Sequence, residues 1–405
     1  MSATISRLPI AAAPVARAGA PSLRARAAAC AEIAARAADA VDSEARFPGE
    51  AIGALREARL LGILIPEALG GEGAGVAEVV DVCYALGAAC ASSAMIYAMH
   101  QIKVACLVRH GGGAPWQQGL QRRIAERQLL MASSTTEGAN GGNLRASAAA
   151  VQTRGARIAL ERDASVISYG EFADGIVTTA RRADSAAASD QVLLALLKDD
   201  YTLERTQSWD TLGMRGTCSA GFILRAQGGA EQVLPEPYER IHGQTMMPVA
   251  HLLWSAVWSG IAAGAAERAR RFARKAARAA QGTPPPAAAQ LTRARLSLET
   301  LRGAVQAAAR KFERHAADPR SLSAIDVQVA MNLLKVEASE LAVAVVMGAT
   351  RACGLAGYRN DGEFAMGRYV RDILSAPIMI NNDRILADTQ AAAMMTEIPA
   401  FLSDH

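Results

Sequence analysis

The chain has 405 residues, 51% of them apolar and only 4% aromatic, with a net charge of +4 and a pI of about 8.8. This length and apolar content suffice for a large core shared by two or three subdomains, and the shortage of aromatics favours closely packed helices built on Ala, Leu, Val and Ile. The arginines are scattered among alanines without a dense basic run, which argues against nucleic acid as a partner.

Six cysteines, Cys30, Cys83, Cys90, Cys106, Cys218 and Cys353, form no CxxC pair and no spacing with histidine that would hold zinc, so no metal is expected. No uninterrupted apolar run reaches membrane-spanning length, and the first twenty residues, with Pro9, Pro14 and Pro21, lack the apolar stretch of a signal peptide. The protein is expected to be cytoplasmic, with a flexible N-terminus over 1–22.

From Leu23 to Gln128 apolar residues recur at helical spacing, as in Leu23, Ala27, Cys30, Ile33 and Ala34, which predicts an α-helical first domain over 23–128. Within it, Leu60–Gly75 is an apolar run stopped by Pro66 and a group of glycines, and Ser92–Val108 is a further helix carrying His100. A second domain over 129–240 changes period. Leu130–Ser133, Ala164–Ser168, Gly175–Ala180 and Gln191–Leu197 are short apolar or alternating runs separated by turn residues, the pattern of an antiparallel barrel or sandwich.

From 241 to 405 the chain is helical again. His251–Ala280, Leu291–His315, Ser323–Cys353 and Ile385–Met395 predict a four-helix bundle, with Gly282–Gln290 (GTPPPAAAQ) as the breaker after the first helix. The fold class is therefore α+β and mainly α. Between the last two helices, Gly354 and Gly357 supply the freedom to adopt positive φ where a helix stops, and Asn381, Asn382 and Asp383 are good N-caps. The final helix thus presents free N–H groups and a positive dipole end, a place suited to a flavin or phosphate.

Several motifs occur in one consistent order over roughly residues 45–395, and together they resemble the acyl-CoA dehydrogenase superfamily. Leu61–Gly71 is similar to its Leu-Gly-x-x-x-Pro-Glu-x-x-Gly-Gly loop, and Leu212-Gly213-Met214-Arg215 followed by Thr217 matches its Leu-Gly-Met-Arg-x-Thr turn. Met131–Asn143 resembles the Thr-Glu-Pro-x-x-Gly-Ser-Asp loop, retaining Thr136, Glu137 and Gly141 while Gly138, Gly142 and Asn143 depart from it. Val166-Ile167-Ser168-Tyr169 aligns with Trp-Ile-Thr-Asn. Gly354, Gly357 and Tyr358 followed by Arg371-Asp372 resemble the C-terminal signature, a Gly-Gly-x-Gly-aromatic turn and then Arg-Asp. Arg278 and Gly282, with Gln290, resemble the family's Arg-x-x-Phe-Gly-x-Pro turn and its glutamine.

The resemblance implies FAD between the β domain and the bundle. It places Ser133, Thr135, Thr136, Ser168, Gly354, Asn382 and Arg384 on the flavin or its diphosphate, with Arg278 contributing across a subunit interface of a homodimer or homotetramer. It also implies an acyl-thioester substrate. Ile380, however, stands where most of the family carries its catalytic glutamate, and Asn381-Asn382 replaces Gly-Thr; the alternative position for that acid falls near Trp254. Asp383 is better placed to cap the helix than to act as a displaced base. A positioned base contributes about 10²–10⁴ in rate, so simple fatty acyl-CoA dehydrogenation is disfavoured. The resemblance leaves two oxidoreductase readings: a specialised thioester substrate on CoA or a carrier protein, or a flavin monooxygenase in which reduced FAD meets oxygen in a buried polar pocket. His100, Ser168 and Asn381 are the catalytic candidates. A noncatalytic flavin-bearing or DNA-associated protein and a purely structural helical protein are the remaining classes; a steep salt-dependent DNA affinity would mark the second and a colourless preparation the third.

Overall fold

A computed structural model describes residues 21–137, 146–318, 320–398 and 400. The changed positions Gly138, Gly142 and Asn143 and the retained Gly141 lie outside the described residues, as does most of the N-terminus.

The first part is helical because its apolar residues fall on single stripes. In α1 (Leu23–Ser43), capped by the Ser22 hydroxyl, Ala27, Cys30, Ala34, Ala38 and Val41 are buried along one face. It is followed by α2 (Gly49–Glu57), α3 (Val76–Ala89), α4 (Ala91–His110), buried on nearly all sides, and α5 (Pro115–Arg127), which begins with proline where no amide partner is needed.

The central part holds two sheets. β1 (Met131–Ser134), β4 (Gly175–Arg181) and β5 (Gln191–Leu197) lie in the order β1-β4-β5; β2 (Gln152–Arg154), β3 (Arg157–Ala164), β7 (Gly221–Gly229) and β6 (Tyr201–Gln207) lie in the order β2-β3-β7-β6. The second sheet is antiparallel throughout, whereas β1 pairs with β4 in parallel, Met131 opposite Gly175 and Ser134 opposite Thr178. The expected strand Ala164–Ser168 is corrected: β3 ends at Ala164. Tyr169, with φ of 45°, then turns the chain, and its amide donates to Thr217 O at 2.8 Å.

After the short helix α6 (Tyr238–Ile241) and a π-helical turn (His242–Met246) comes α7 (Met247–Ala279). The stretch Tyr238–Ala279 is long and apolar enough to cross a membrane, yet 83% of its most apolar window is buried within the protein, as in a core helix. It packs against α3, α4, α8 (Ala288–Ala316) and α9 (Ile325–Cys353). Glycines allow the closest of these approaches. A Cβ on Gly260 would lie 2.3 Å from Tyr84 O, and one on Gly87 would lie 2.5 Å from Val257 O, so α3 and α7 meet backbone to backbone.

Helix α9 stops at Gly354, whose φ of 53° is the expected positive value. Gly357 differs from expectation: it lies inside α10 (Leu355–Tyr358) without positive φ. Its role is proximity, since a Cβ there would sit 2.7 Å from that of Cys353. The chain ends with α11 (Gly367–Ile373) and α12 (Asn382–Met395), the latter against α9. Helical parts at the two ends of the chain thus flank a small β region in sequence, the expected mainly helical α+β architecture.

Candidate active site

Two motifs separated by more than a hundred residues meet at one buried carboxylate. Asp372 on α11 accepts the Met214 N–H at 2.7 Å, and a Cβ on Gly213 would collide with Arg371 O at 2.2 Å, so the Leu212–Arg215 turn rests directly on the Arg371-Asp372 pair. Arg371 in turn pairs with Asp42 and Arg368 with Asp39, both on α1. The helical first part, the β region and the C-terminal helices are therefore fastened at a single junction. Burial pushes the Asp372 carboxyl up to about 6, against the opposing pull of the Met214 N–H and of Arg368.

A chain of hydroxyls leads away from this junction. Thr217 Oγ1 lies 2.8 Å from Met214 O and 2.7 Å from Ser219 Oγ, and Ser219 Oγ lies 2.8 Å from Ser168 Oγ. Met214 O also receives the Trp209 indole N–H at 3.1 Å. The Thr217 hydroxyl donates to Met214 O and the Ser219 hydroxyl to Ser168 Oγ, which leaves the Ser168 proton to point outward. The turn that carries Ser168 is tied to the start of β1 by the Tyr169 hydroxyl, which donates to Met131 O at 3.0 Å.

At the end of β1 sits a row of unspent hydroxyls. Ser133, Thr135 and Thr136 are half-buried and make no side-chain hydrogen bond among the described residues, while the Ser134 Oγ is buried without a partner. Glu137, the next residue, is committed elsewhere: it receives the Ser147 hydroxyl at 2.8 Å and the Ala148 N–H at 2.6 Å, and pairs with the buried Arg162 at 2.9 Å. It ties the end of β1 to Ser147, Ala148 and Arg162 and takes up none of the hydroxyls before it.

His100 is placed in the same region in a fastening role. Its Nε2 donates to Leu61 O at 2.8 Å and its Nδ1 accepts the Met131 N–H at 3.0 Å, which only the neutral Nε2–H tautomer satisfies. Burial lowers its pKa to about 4, so it stays neutral. Both nitrogens are spent on backbone, and neither faces a ligand.

A second cluster surrounds Ile380. The Lys335 ammonium, on α9, donates to Ala376 O at 3.2 Å, Ile380 O at 2.8 Å and Asn382 Oδ1 at 2.7 Å, while the Asn382 amide nitrogen donates to Ser339 Oγ at 3.0 Å and to Glu340 Oε1 at 2.8 Å. Asn382 is therefore consumed by the protein itself. Asn381 caps α12 through Oδ1, which accepts the Asp383 and Arg384 amides at 2.8 and 3.4 Å. Ile380 adopts φ of 47°, a rare conformation for a β-branched residue. Arg384 lies 3.9 Å from Asp388. Trp254 is half-buried with its Nε1 buried and unpartnered. Arg278, exposed near the end of α7, and Gly354 make no side-chain bond to either cluster among the described residues.

Arg162, Lys335, Asp42 and Ser219 escaped the sequence reading. Arg162 falls on the inward register of β3 with Ile158, Leu160 and Ala164, and Lys335 falls one turn after Met331 on the buried stripe of α9; a charge on an apolar repeat was the available signal.

The fold and these motifs define a helical protein with an inserted β region of the acyl-CoA dehydrogenase type. The N-terminal domain model of acyl-CoA dehydrogenase matches residues 22–126, and its C-terminal domain model matches residues 244–395. The chain belongs to the acyl-CoA dehydrogenase family. It is 28% identical to cyclohex-1-ene-1-carbonyl-CoA dehydrogenase of Geobacter metallireducens over 205 residues, 50% of this chain and 53% of that protein, so the match spans about half of the relative. In structure it is similar to FMN-bound TdsC from Paenibacillus sp. A11-2 (TM-score 0.80, 17% identity, 93% of this chain and 98% of that one). It is also similar to the nitrososynthase from Micromonospora carbonacea var. africana (0.79, 20%, 92% and 95%). Butyryl-CoA dehydrogenase from Megasphaera elsdenii gives 0.76 at 19%, covering 92% and 97%. At these identities the structural likenesses speak to the fold alone.

Proposed function

We propose that the protein is an FAD-dependent oxidoreductase acting on an acyl thioester, carried on CoA or a carrier protein. The observation that carries this reading is the row of unspent hydroxyls at Ser133–Thr136, together with the Ser168–Ser219–Thr217 chain that Tyr169 ties to the start of the same strand. Those residues fit a flavin: hydroxyls at the end of β1 offer hydrogen bonds to its pyrimidine edge, and Ser168 ends a hydroxyl chain able to orient a proton toward it. When bound, FAD supplies the acceptance of two electrons from the substrate.

The chain's own residues limit the chemistry. Neither Ile380 nor Trp254 can accept a proton, and Asn381 and Asn382 are spent on the cap of α12 and on Lys335, so neither of the two positions where the family's glutamate is expected supplies a carboxylate. This supports a specialised thioester over a simple fatty acyl-CoA. It equally supports the second reading, a flavin-dependent monooxygenase, in which reduced FAD and oxygen act on the substrate without an α-proton base. A homo-oligomer, dimer or tetramer, is consistent with the exposed apolar residues Leu296, Leu355, Tyr358 and Met394.

The test mixes the oxidised protein anaerobically with a panel of acyl-CoAs, and the separately reduced protein with oxygen and the same panel. Flavin bleaching with formation of the enoyl product establishes dehydrogenation. An oxygenated product from the reduced protein establishes the second reading. A purified protein that is colourless and takes up no FAD refutes both.

A further inference from the structure

Lys103 on α4 is 4% exposed, and among the described residues its only polar partner is the thioether of Met246, 3.4 Å away in the π-helical turn. Thioether sulfur is a weak acceptor, and an isolated ammonium in the interior is costly. The hydroxyl of Tyr238, a residue 3% exposed, donates to the same sulfur at 3.4 Å and has no other partner among the described residues. Two buried donors thus converge on one poor acceptor.

No anion of the protein serves them. Among the described residues no carboxylate lies within ion-pair distance of Lys103. Glu236, on the segment that leads into α6, is engaged with His110 Nδ1 at 3.4 Å and Arg240 at 3.5 Å, and His110 Nε2 lies 2.8 Å from the Thr245 hydroxyl. Cys106, one turn along α4 from Lys103, is held as a thiol by burial, its pKa pushed up to about 12; burial likewise keeps Tyr238 protonated and a donor. Burial lowers the Lys103 pKa to about 8, which leaves the ammonium mostly charged at neutral pH.

We propose that Lys103 Nζ and the Tyr238 hydroxyl form a binding site for a carboxylate group, whose oxygens take the place that the Met246 thioether holds in this structure. Met246 suits that exchange, since its unbranched side chain readily changes rotamer, and its backbone lies in a π-helical turn, a feature frequent at functional sites. One turn before Lys103, His100 holds the start of β1, the strand that ends in the Ser133–Thr136 hydroxyls, so the subsite shares a rigid helix with the proposed flavin site. Resting on the acyl-thioester reading above, this assigns the substrate a second, distal carboxylate.

The experiment compares the CoA monothioester of a short dicarboxylic acid with the monocarboxylic acyl-CoA of the same chain length, following perturbation of the flavin spectrum in the FAD-loaded protein. Wild type is expected to bind the dicarboxylate thioester at least about tenfold more tightly, a preference lost in Lys103→Met, reduced in Tyr238→Phe and retained in Met246→Leu. Equal affinity for the two thioesters in wild type, or a preference unchanged in Lys103→Met, overturns the proposal. In parallel, the free dicarboxylate is titrated while the thermal midpoint is followed; a rise in wild type that is absent in Lys103→Met supports the subsite even if neither thioester perturbs the flavin. That last pattern separates a failed thioester reading from a failed subsite. Should Lys103→Met not fold, Tyr238→Phe, which keeps the ring and its packing, carries both measurements.

Discussion

Lys335 and Lys103 are both buried lysines on long helices, and their surroundings could hardly differ more. Lys335 places its ammonium among three oxygens, Ala376 O, Ile380 O and Asn382 Oδ1, with the Trp258 ring 5.4 Å away; Lys103 has a single sulfur. The pKa of each is lowered to about 8 by burial, so the perturbation alone does not tell them apart. Their acceptors do. A buried cation whose donors are all met by its own chain is part of the scaffold, whereas one left on a weak acceptor is poised for something brought from outside.

The sharpest way to break this comparison is to remove each ammonium in turn. Lys335→Met leaves three acceptors without their donor and is expected to cost about 3–5 kcal/mol, read as a lowered denaturant midpoint. Lys103→Met removes a charge that the interior does not compensate, and is expected to lie within about 1 kcal/mol of wild type or to be more stable. If the two substitutions cost the same, the distinction drawn between the lysines is wrong.

Asp372 extends the comparison to a buried anion. Its pKa in the folded protein, about 6, lies above the ordinary 3.8, so between those values the native state holds more protons than the unfolded one. Stability contributed by this group is therefore present at low pH and lost as pH rises from about 4 through about 6, by roughly 2–3 kcal/mol. Wild type minus Asp372→Asn, measured at pH 4, 5, 6 and 7, isolates that slope from other carboxylates. A difference independent of pH would show that the Met214 N–H and the arginines offset its burial completely.

What was legible in the sequence divides along the same line. The long helices were readable because α1, α8 and α9 repeat apolar residues along one stripe, and the Leu212–Arg215 turn and Arg371-Asp372 were readable as separate motifs. Their meeting was not, since nothing in either segment announces that Gly213 will lie against Arg371 O. The parallel β1–β4 pairing was missed for the same reason: alternation marks a strand and says nothing of its partner's direction. His100 was read as a candidate for chemistry, and only the positions of Leu61 O and Met131 N show both its nitrogens to be spent. Lys335 sat in plain view on an apolar stripe, but an isolated lysine in a helix reads as a solvated face until its oxygens, contributed by a loop some forty residues away, are known.

The smallest expected effect concerns the loop that Lys335 holds. Ile380 occupies the left-handed region at φ of 47°, a conformation that costs a β-branched side chain on the order of 1–3 kcal/mol; the turn around it is held by the ammonium on its carbonyl and by the Asn382 N–H donating to Pro377 O at 3.0 Å. Its side chain is only half-buried. In Ile380→Gly the relief of that strain offsets most of the lost burial, so the net change is expected to stay under about 1 kcal/mol. Ile373, fully buried at the end of α11 with ordinary helical geometry, is the control; Ile373→Gly loses packing and helix stability with no strain to release, for an expected cost of about 4 kcal/mol. Because the ammonium still binds the backbone carbonyl of residue 380, Lys335→Met in the Ile380→Gly background should cost nearly what it costs in wild type. A much larger cost in the Ile380→Gly background would mean that the wild-type loop relaxes when the ammonium is removed, and hence that Lys335 sustains the strain at Ile380.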